Sequence, residues 1–119
     1  MSNETNFSAG DFLIFQIESG FGLIRILRID SENDEIVWHV AAFGDYFPDI
    51  ESAENALENV SSINPEIRHV ALTNRAFLST QVSRLGNSPI TEAENEILES
   101  WKANPVISDR SIRLLLGVR

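Results

Sequence analysis

The chain has 119 residues, the length of a single domain, and its 43% hydrophobic and 23% charged residues are an ordinary globular composition that excludes wholesale disorder. It contains no cysteine, which excludes disulfides, a thiol nucleophile and a Cys-ligated zinc site, and no apolar run reaches the roughly 18 residues that a membrane-spanning helix needs. Eighteen acidic and nine basic residues give a net charge of −9.

The N-terminus is polar through Asn6 and has neither the basic start nor the apolar stretch of a secretion signal. We therefore expect a cytoplasmic protein with a flexible N-terminal segment at residues 1–9. No repeat, linker or low-complexity tract divides the rest of the sequence, so residues 10–119 are predicted to form one domain.

Three strands are predicted in the first half of the chain. Residues 12–17, 23–29 and 36–43 are rich in aromatic and β-branched side chains, and polar or glycine-containing turns separate them. Each strand has apolar residues on both faces, whereas a sheet with one face in water has polar residues on that face. Both faces are therefore buried, either because helices cover a twisted sheet or because the sheet curls into a small barrel.

The second half of the sequence mixes helices and strands. Residues 50–60 have apolar positions at helical spacing, and residues 67–72 alternate as a strand does. Residues 76–82 are predicted to be extended with Phe77 in the core, and residues 85–89 have the composition of a loop.

The clearest helix begins at Thr91, which forms a capping box with Glu94 and is followed by an apolar stripe that ends at Trp101. Residues 112–118 alternate as a strand, although the same tail followed by Gly117 also fits a capped helix, and we predict a strand. The fold class is therefore α+β, a strongly bent and mainly antiparallel sheet or small barrel of about five strands with two packed helices.

Acidic residues are concentrated in one segment. Between Ile29 and Ile67 the sequence has ten acids and no lysine or arginine. Such a segment repels phosphate, which disfavours nucleic acids and anionic membranes as partners, and it attracts a cationic protein surface. Two alternatives remain: the acids serve solubility alone, or arginines of the second half pair with them, since eight of the nine basic residues are Arg.

An aromatic loop lies within this acidic segment. Residues 43–48 place three aromatic side chains beside Gly44 and Pro48, which suits the loop to anchor a partner unless it folds back onto the core as a plug. The predicted partner-binding residues are Asp30, Glu32, Asp34, Glu35, Asp45, Tyr46, Phe47, Asp49, Glu51, Glu54 and Glu58.

His39 and His69 are the only histidines, and each lies in a predicted strand. If those strands pair, the two imidazoles approach each other, and one carboxylate would complete a metal or acid–base site. The acids that begin at Asp30 match the first ligand positions of a calcium loop, but Glu35 replaces its turn glycine and Ala41 its closing glutamate. We therefore predict no catalytic, metal or cofactor site, and keep the histidine site as an alternative.

The sequence Gly10-Asp11-Phe12-Leu13-Ile14-Phe15, followed by Gly20-Phe21-Gly22-Leu23-Ile24-Arg25-Ile26-Leu27-Arg28, resembles the opening of small SH3-like bacterial domains. Among these are immunity proteins that neutralise polymorphic or contact-delivered toxins. The resemblance covers residues 10–43. It implies a curled antiparallel sheet or SH3-like barrel with appended helices and no catalytic residues, and an acidic surface that suits a basic nuclease toxin.

The function predicted from the sequence is a non-enzymatic protein-binding module of the immunity type, whose acidic face docks a basic protein. One alternative is a small metal-dependent or hydrolytic enzyme that uses His39 and His69. The other is a structural subunit of a homo-oligomer, in which the tail at residues 112–118 completes the sheet of a homodimer.

Overall fold

The computed structural model describes residues 7–60 and 63–118. In chain order the strands are β1 (Asp11–Ile17), β2 (Gly20–Glu32), β3 (Glu35–Phe43), β4 (Pro65–Thr73) and β5 (Val82–Asn87). The helices are α1 (Ile50–Leu57), α2 (Asn74–Leu78), α3 (Glu92–Ala103) and α4 (Ile112–Leu116). The predicted α+β class is confirmed.

The five strands form one antiparallel sheet in the order β4–β3–β2–β1–β5. The sheet is open, with β4 and β5 as its edges, so of the two forms predicted the bent sheet is the one observed. The pairing register shifts between Phe12 and Leu13 on β1 and between Ile26 and Arg28 on β2. Such bulges bend the strand and increase its twist.

A short segment before α4 covers part of the β4 edge. Ser108 pairs with Leu72 as an isolated parallel bridge. The N–H of Ser108 donates to the carbonyl of Ala71 over 2.7 Å, and the N–H of Thr73 donates to the carbonyl of Ser108 over 3.0 Å. Backbone groups that an edge strand leaves unpaired are thus hydrogen bonded within the chain.

Helices α2 and α4 lie against one face of the sheet. The largest apolar cluster joins alternate residues of the strands to Phe77 of α2 and Ile112 of α4. The rings of Trp38 and Phe77 are stacked with 3.9 Å between their centroids, and Phe7 packs edge-on against both. Phe7 belongs to the segment 1–9 predicted to be flexible; residues 1–6 of that segment lie outside the described residues.

Helices α1 and α3 lie against the opposite face. Two smaller apolar clusters form there, one that joins the sheet to α1 (Phe12, Leu23, Phe43, Leu57) and one that joins it to α3 (Leu27, Ala41, Leu98). Because helices cover both faces, the strands are apolar on both sides, which explains the pattern seen in the sequence. Neither described range, 7–60 or 63–118, contains a helix long and apolar enough to cross a membrane.

Helices α1 and α3 lie where they were predicted, but the prediction for the segment between β4 and α3 is wrong. The Thr73 hydroxyl accepts the N–H of Ala76, so residues predicted to be extended begin as the single-turn helix α2. The strand comes later, as β5, and takes up most of the 85–89 segment that was predicted to be a loop. The core position predicted for Phe77 is confirmed.

The predicted C-terminal strand is also wrong. The Ser111 hydroxyl accepts the N–H of Leu114, and Gly117 follows the last turn with a φ of +73°, which a residue without a side chain adopts at no steric cost. The tail is therefore the helix α4, which removes the strand on which the homodimer alternative was based. Within the described residues four helices pack on the sheet, whereas two were predicted.

Replacement of Phe77 tests the packing of α2 on the sheet. Phe77 is 3% exposed, whereas its neighbour Leu78 is 54% exposed on the same helix. We expect Phe77→Ala to lower the free energy of unfolding by about 3–4 kcal/mol, because a buried ring leaves a cavity beside Trp38. Leu78→Ala is the matched control and should lower the free energy of unfolding, measured in urea, by less than about 1 kcal/mol. Equal losses in the two variants would show that α2 does not dock in this way.

Candidate functional site

The structure divides the predicted acidic surface into two groups. The hairpin group consists of Glu32, Asp34 and Glu35 at the turn between β2 and β3. The helix group consists of Asp45, Asp49, Glu51, Glu54 and Glu58, on α1 and the loop before it, and of Glu66 of β4, whose side chain lies beside Gly44 of that loop. β2 begins where Phe21 pairs with Phe47 beside the helix group, and it ends at the hairpin group. Its 13 residues correspond to about 40 Å of strand at the usual rise per residue.

The acids of both groups are exposed, and their charges are not neutralised within residues 7–60 and 63–118. Of the ten acids between Ile29 and Ile67, Asp30 alone forms an ion pair with a base in the described part of the chain. The other nine are all exposed. Asp49 has a structural role as well, because its carboxylate accepts the N–H of Ser52 and caps α1. The hydrogen bond from Ser52 lowers the pKa of Asp49.

Most of the basic residues in the described chain bind partners outside the two acidic groups. Arg84 pairs with Asp11 over 3.0 Å, Arg75 pairs with Asp109, and Arg113 donates to the carbonyl of Gln16. Arg25 pairs with Glu94 over 2.7 Å. The alternative in which arginines of the second half cover the acidic segment is therefore not what the described residues show.

The aromatic loop folds back onto the core in part and leaves one aromatic side chain exposed. Phe43 is buried and Phe47 is half-buried, and both pack in the apolar cluster beneath α1. Tyr46 lies between them in the chain and is 41% exposed. Partial burial and the nearby Glu66 carboxylate raise the pKa of Tyr46, and its neutral hydroxyl can donate a hydrogen bond. Glu66 was not among the predicted partner-binding residues.

A groove of about 400 Å³ runs between α1 and β5. Leu57 and Leu85 form part of its apolar wall, and Glu54 and Glu58 stand one helical turn apart at its rim. Arginine and lysine side chains have an apolar stem and a charged tip. The groove has the matching combination, an apolar wall for the stem and carboxylates for the tip.

One buried charge ties the sheet to α3. Arg25 of β2 is 4% exposed, lies over the ring of Phe12, and binds both carboxylate oxygens of Glu94. It also donates to the carbonyls of Gly10, Ser88 and Pro89. The pKa of Glu94 is lowered: burial acts to raise it, but the hydrogen bonds from Arg25 and Thr91 outweigh burial.

The two histidines meet as the sequence analysis anticipated for paired strands. Nδ1 of His39 and Nε2 of His69 are 2.9 Å apart, and Nε2 of His39 is 2.9 Å from a carboxylate oxygen of Asp30. The rings are nearly coplanar, at 7°, with centroids 5.2 Å apart. The centroid separation equals the distance between the two nitrogens plus the distance from each nitrogen to the centre of its own ring. The two nitrogens therefore lie on the line between the ring centres, so the hydrogen bond lies in the plane of the rings and is well aligned.

This chain of hydrogen bonds sets the tautomers. Asp30 accepts, so His39 carries its proton on Nε2, and His69 then donates from its own Nε2 to Nδ1 of His39. Only Nδ1 of His69 retains a free lone pair. The Trp101 ring of α3 stands perpendicular to both imidazoles, at 84° and 82°. Sequence reasoning missed Trp101 as a neighbour because it lies on a distant helix.

Burial keeps both imidazoles neutral. It lowers the pKa of His39, although the Asp30 carboxylate partly opposes the shift, and Arg28 nearby lowers it further. Burial, His39 and Arg28 together lower the pKa of His69 to about 4. Burial acts to raise the pKa of Asp30, but hydrogen bonds from His39 and Arg28 outweigh it, so the pKa is lowered. No three metal-ligand side chains in the described ranges are grouped so that they could hold a metal ion.

Comparison of the chain with protein-family models, with curated proteins and with solved structures finds no match. The resemblance of residues 10–43 to SH3-like bacterial domains therefore stays a prediction.

Removing the charge of Glu94 tests the buried ion pair. We expect Glu94→Gln to lower the free energy of unfolding by about 2–4 kcal/mol, because Arg25 stays buried without a counter-charge. Thr91→Ala removes only the helix cap and should cost about 1 kcal/mol. The surface control is Glu99, an exposed residue that pairs with Lys102. We expect Glu99→Gln to lower the free energy of unfolding by less than about 0.5 kcal/mol. If Glu94→Gln is as stable as Glu99→Gln, the buried Arg25–Glu94 pair does not stabilise the fold as described.

Acid should weaken the fold before the carboxylates titrate. The unfolded chain takes up a proton at the ordinary histidine pKa of 6.5, whereas His69 in the folded protein does so only near 4. The unfolded state thus binds more protons between these values, and stability falls as pH falls. From pH 6.5 to 4.5 we expect the wild type to lose about 1–2 kcal/mol more than His69→Gln, after allowance for partial exposure of the ring. Equal pH slopes in urea unfolding would refute this.

Proposed function

We propose that the protein is a non-enzymatic binding module that docks a basic protein. The docking surface comprises the helix group, Tyr46 and the groove between α1 and β5. The observation that carries the proposal is that nine acids are exposed and form no ion pair with any base in the described residues. Charges left unneutralised in a folded protein are available to steer and bind a cationic partner.

The helix group is favoured over the hairpin group because apolar contact area accompanies its charge. Tyr46 and Ile50 are large side chains exposed beside the acids of α1. Interfaces draw most of their affinity from such apolar and aromatic anchors, and charge supplies orientation and the rate of association. The groove adds a place where one arginine or lysine of the partner lays its stem against Leu57 and Leu85 and its tip between Glu54 and Glu58.

The hairpin group has a different role in this proposal. Glu32, Asp34 and Glu35 lie at the far end of β2 and extend the negative field along one molecule. Charges outside the contact area speed the encounter and add little to the lifetime of the complex.

A toxin with a basic surface is the partner class that fits best. An inhibitor that covers a cationic nuclease needs an acidic surface of its own, because complementary charge accelerates capture. The resemblance of residues 10–43 to immunity-type SH3-like domains supports the same class of partner, as an analogy of fold.

Acid–base catalysis by His69 is a second candidate, favoured by one observation. The Asp30–His39–His69 chain orients the rings and leaves Nδ1 of His69 as a proton acceptor, which is how a carboxylate hydrogen bonded to an imidazole supports a catalytic histidine. Hydrolysis of chromogenic esters or phosphodiesters by the wild type but not by His69→Gln would favour it. Unchanged hydrolysis in that variant would dismiss it.

Salt and charge variants test the docking surface with a fluorescent nona-arginine peptide and a panel of basic nucleases as probes. We expect Glu54→Gln/Glu58→Gln to weaken binding about fivefold to tenfold, because the groove loses the carboxylates that receive a cationic tip. Affinity of the wild type should fall at least about tenfold from 50 to 300 mM salt, since screening weakens exposed charges.

The matched control is Glu32→Gln/Glu35→Gln, which removes the same charge from the hairpin group. Its affinity should stay within about twofold of the wild type, although its association rate should fall. Binding that is insensitive to salt, or equal losses in the two double variants, would overturn the assignment of the docking surface.

A further inference from the structure

A second cleft, of about 310 Å³, opens between α3 and the sheet face that α1 also covers. Phe12 of β1, Phe43 of β3 and Ile97 of α3 are among its walls. The rings of Phe12 and Phe43 are 6.2 Å apart and tilted by 33°, which gives the cleft an aromatic side. Its volume is at the small end of the range for ligand pockets, and its mainly apolar lining with a few polar groups is typical of them.

The charged groups of this cleft leave one positive charge unpaired. Arg25 and Glu94 line it, but they neutralise each other through two hydrogen bonds. Arg68 of β4 also lines it, is exposed, and makes no ion pair or hydrogen bond within the described residues. In a chain of net charge −9, a cleft whose spare charge is positive stands apart from the acidic surface around it.

We propose that this cleft binds a small aromatic monocarboxylate. The aromatic body of the ligand packs against the wall formed by Phe12, Phe43 and Ile97, and its carboxylate binds the exposed guanidinium of Arg68. Arginine presents two parallel N–H donors to a carboxylate. This contact orients the ligand and selects for its negative charge. Arg25 and Glu94 in the wall are already hydrogen bonded to each other. They hold α3 against the sheet and so shape the cleft, but they do not bind the ligand.

Three aromatic probes of the same size test the proposal by calorimetry at low salt: 1-naphthoate, 1-naphthalenemethanol and 1-naphthylmethylammonium. We expect 1-naphthoate to bind with millimolar affinity or better and about tenfold more tightly than the alcohol, because one partly desolvated Arg–carboxylate contact has that effect. The ammonium compound should bind more weakly than the alcohol. Equal affinity for naphthoate and ammonium, or no saturable binding of naphthoate, would overturn the proposal.

Two variants locate the effect. Arg68→Gln should remove the preference for naphthoate over the alcohol and leave alcohol binding within about twofold, since the aromatic contacts are unchanged. Arg110→Gln, which removes an exposed arginine outside the cleft, should change neither. Amide chemical-shift changes on adding naphthoate should cluster at Phe12, Phe43 and Ile97. The site would be refuted if Arg68→Gln still preferred naphthoate over the alcohol. It would also be refuted if the chemical-shift changes were centred on the hairpin group.

Discussion

The arrangement of this fold depends on the burial of one arginine. A guanidinium taken out of water must be paired, and Arg25 meets that requirement by drawing partners from four parts of the chain: Gly10 before β1, the loop after β5, the start of α3, and the Phe12 ring. Glu94 serves this charge and the capping box of α3 at once. The same contact that starts the helix therefore also fixes where it lies on the sheet.

This internal pairing bears on the charge of the surface. Arg25 and Arg84 connect the two halves of the chain, but to Glu94 and Asp11, which lie outside the acidic segment. Asp30 is held by Arg28 and His39. Most bases of the second half bind other groups in the described chain, and Arg68 and Arg110 form no ion pair there, so the asymmetry visible in the sequence persists in the folded molecule as a charged exterior.

Much of the fold could be predicted from the sequence because local patterns and tertiary contacts agree there. Strands that are apolar on both faces required cover on both sides, and Thr91 with Glu94 marked the start of α3. α2 and α4 were missed because each is a single turn held by a cap and by packing, and residues 112–118 happen to alternate as a strand does. Short elements of this kind have too few residues for a period to be measured.

The candidate site was harder to predict than the fold. The sequence identified the acids but not their division into two groups, which follows from the pairing of Phe21 with Phe47 and of Glu32 with Glu35. The contact of His39 with His69 depends on the register of β3 against β4, and a shift of one residue would place the rings on opposite faces. Arg68 and the cleft between α3 and the sheet have no signature in the sequence, since the lining of the cleft comes from five separate elements and two loops.

The bridge that Ser108 makes with β4 has a consequence for behaviour at high concentration. A bare edge strand is a template on which a second chain can add, and repeated addition leads to cross-β aggregates. Here one edge is partly occupied by the chain's own backbone, and the other, β5, is only six residues long and carries the charge of Arg84. Both margins of the sheet are therefore poor seeds for fibril growth.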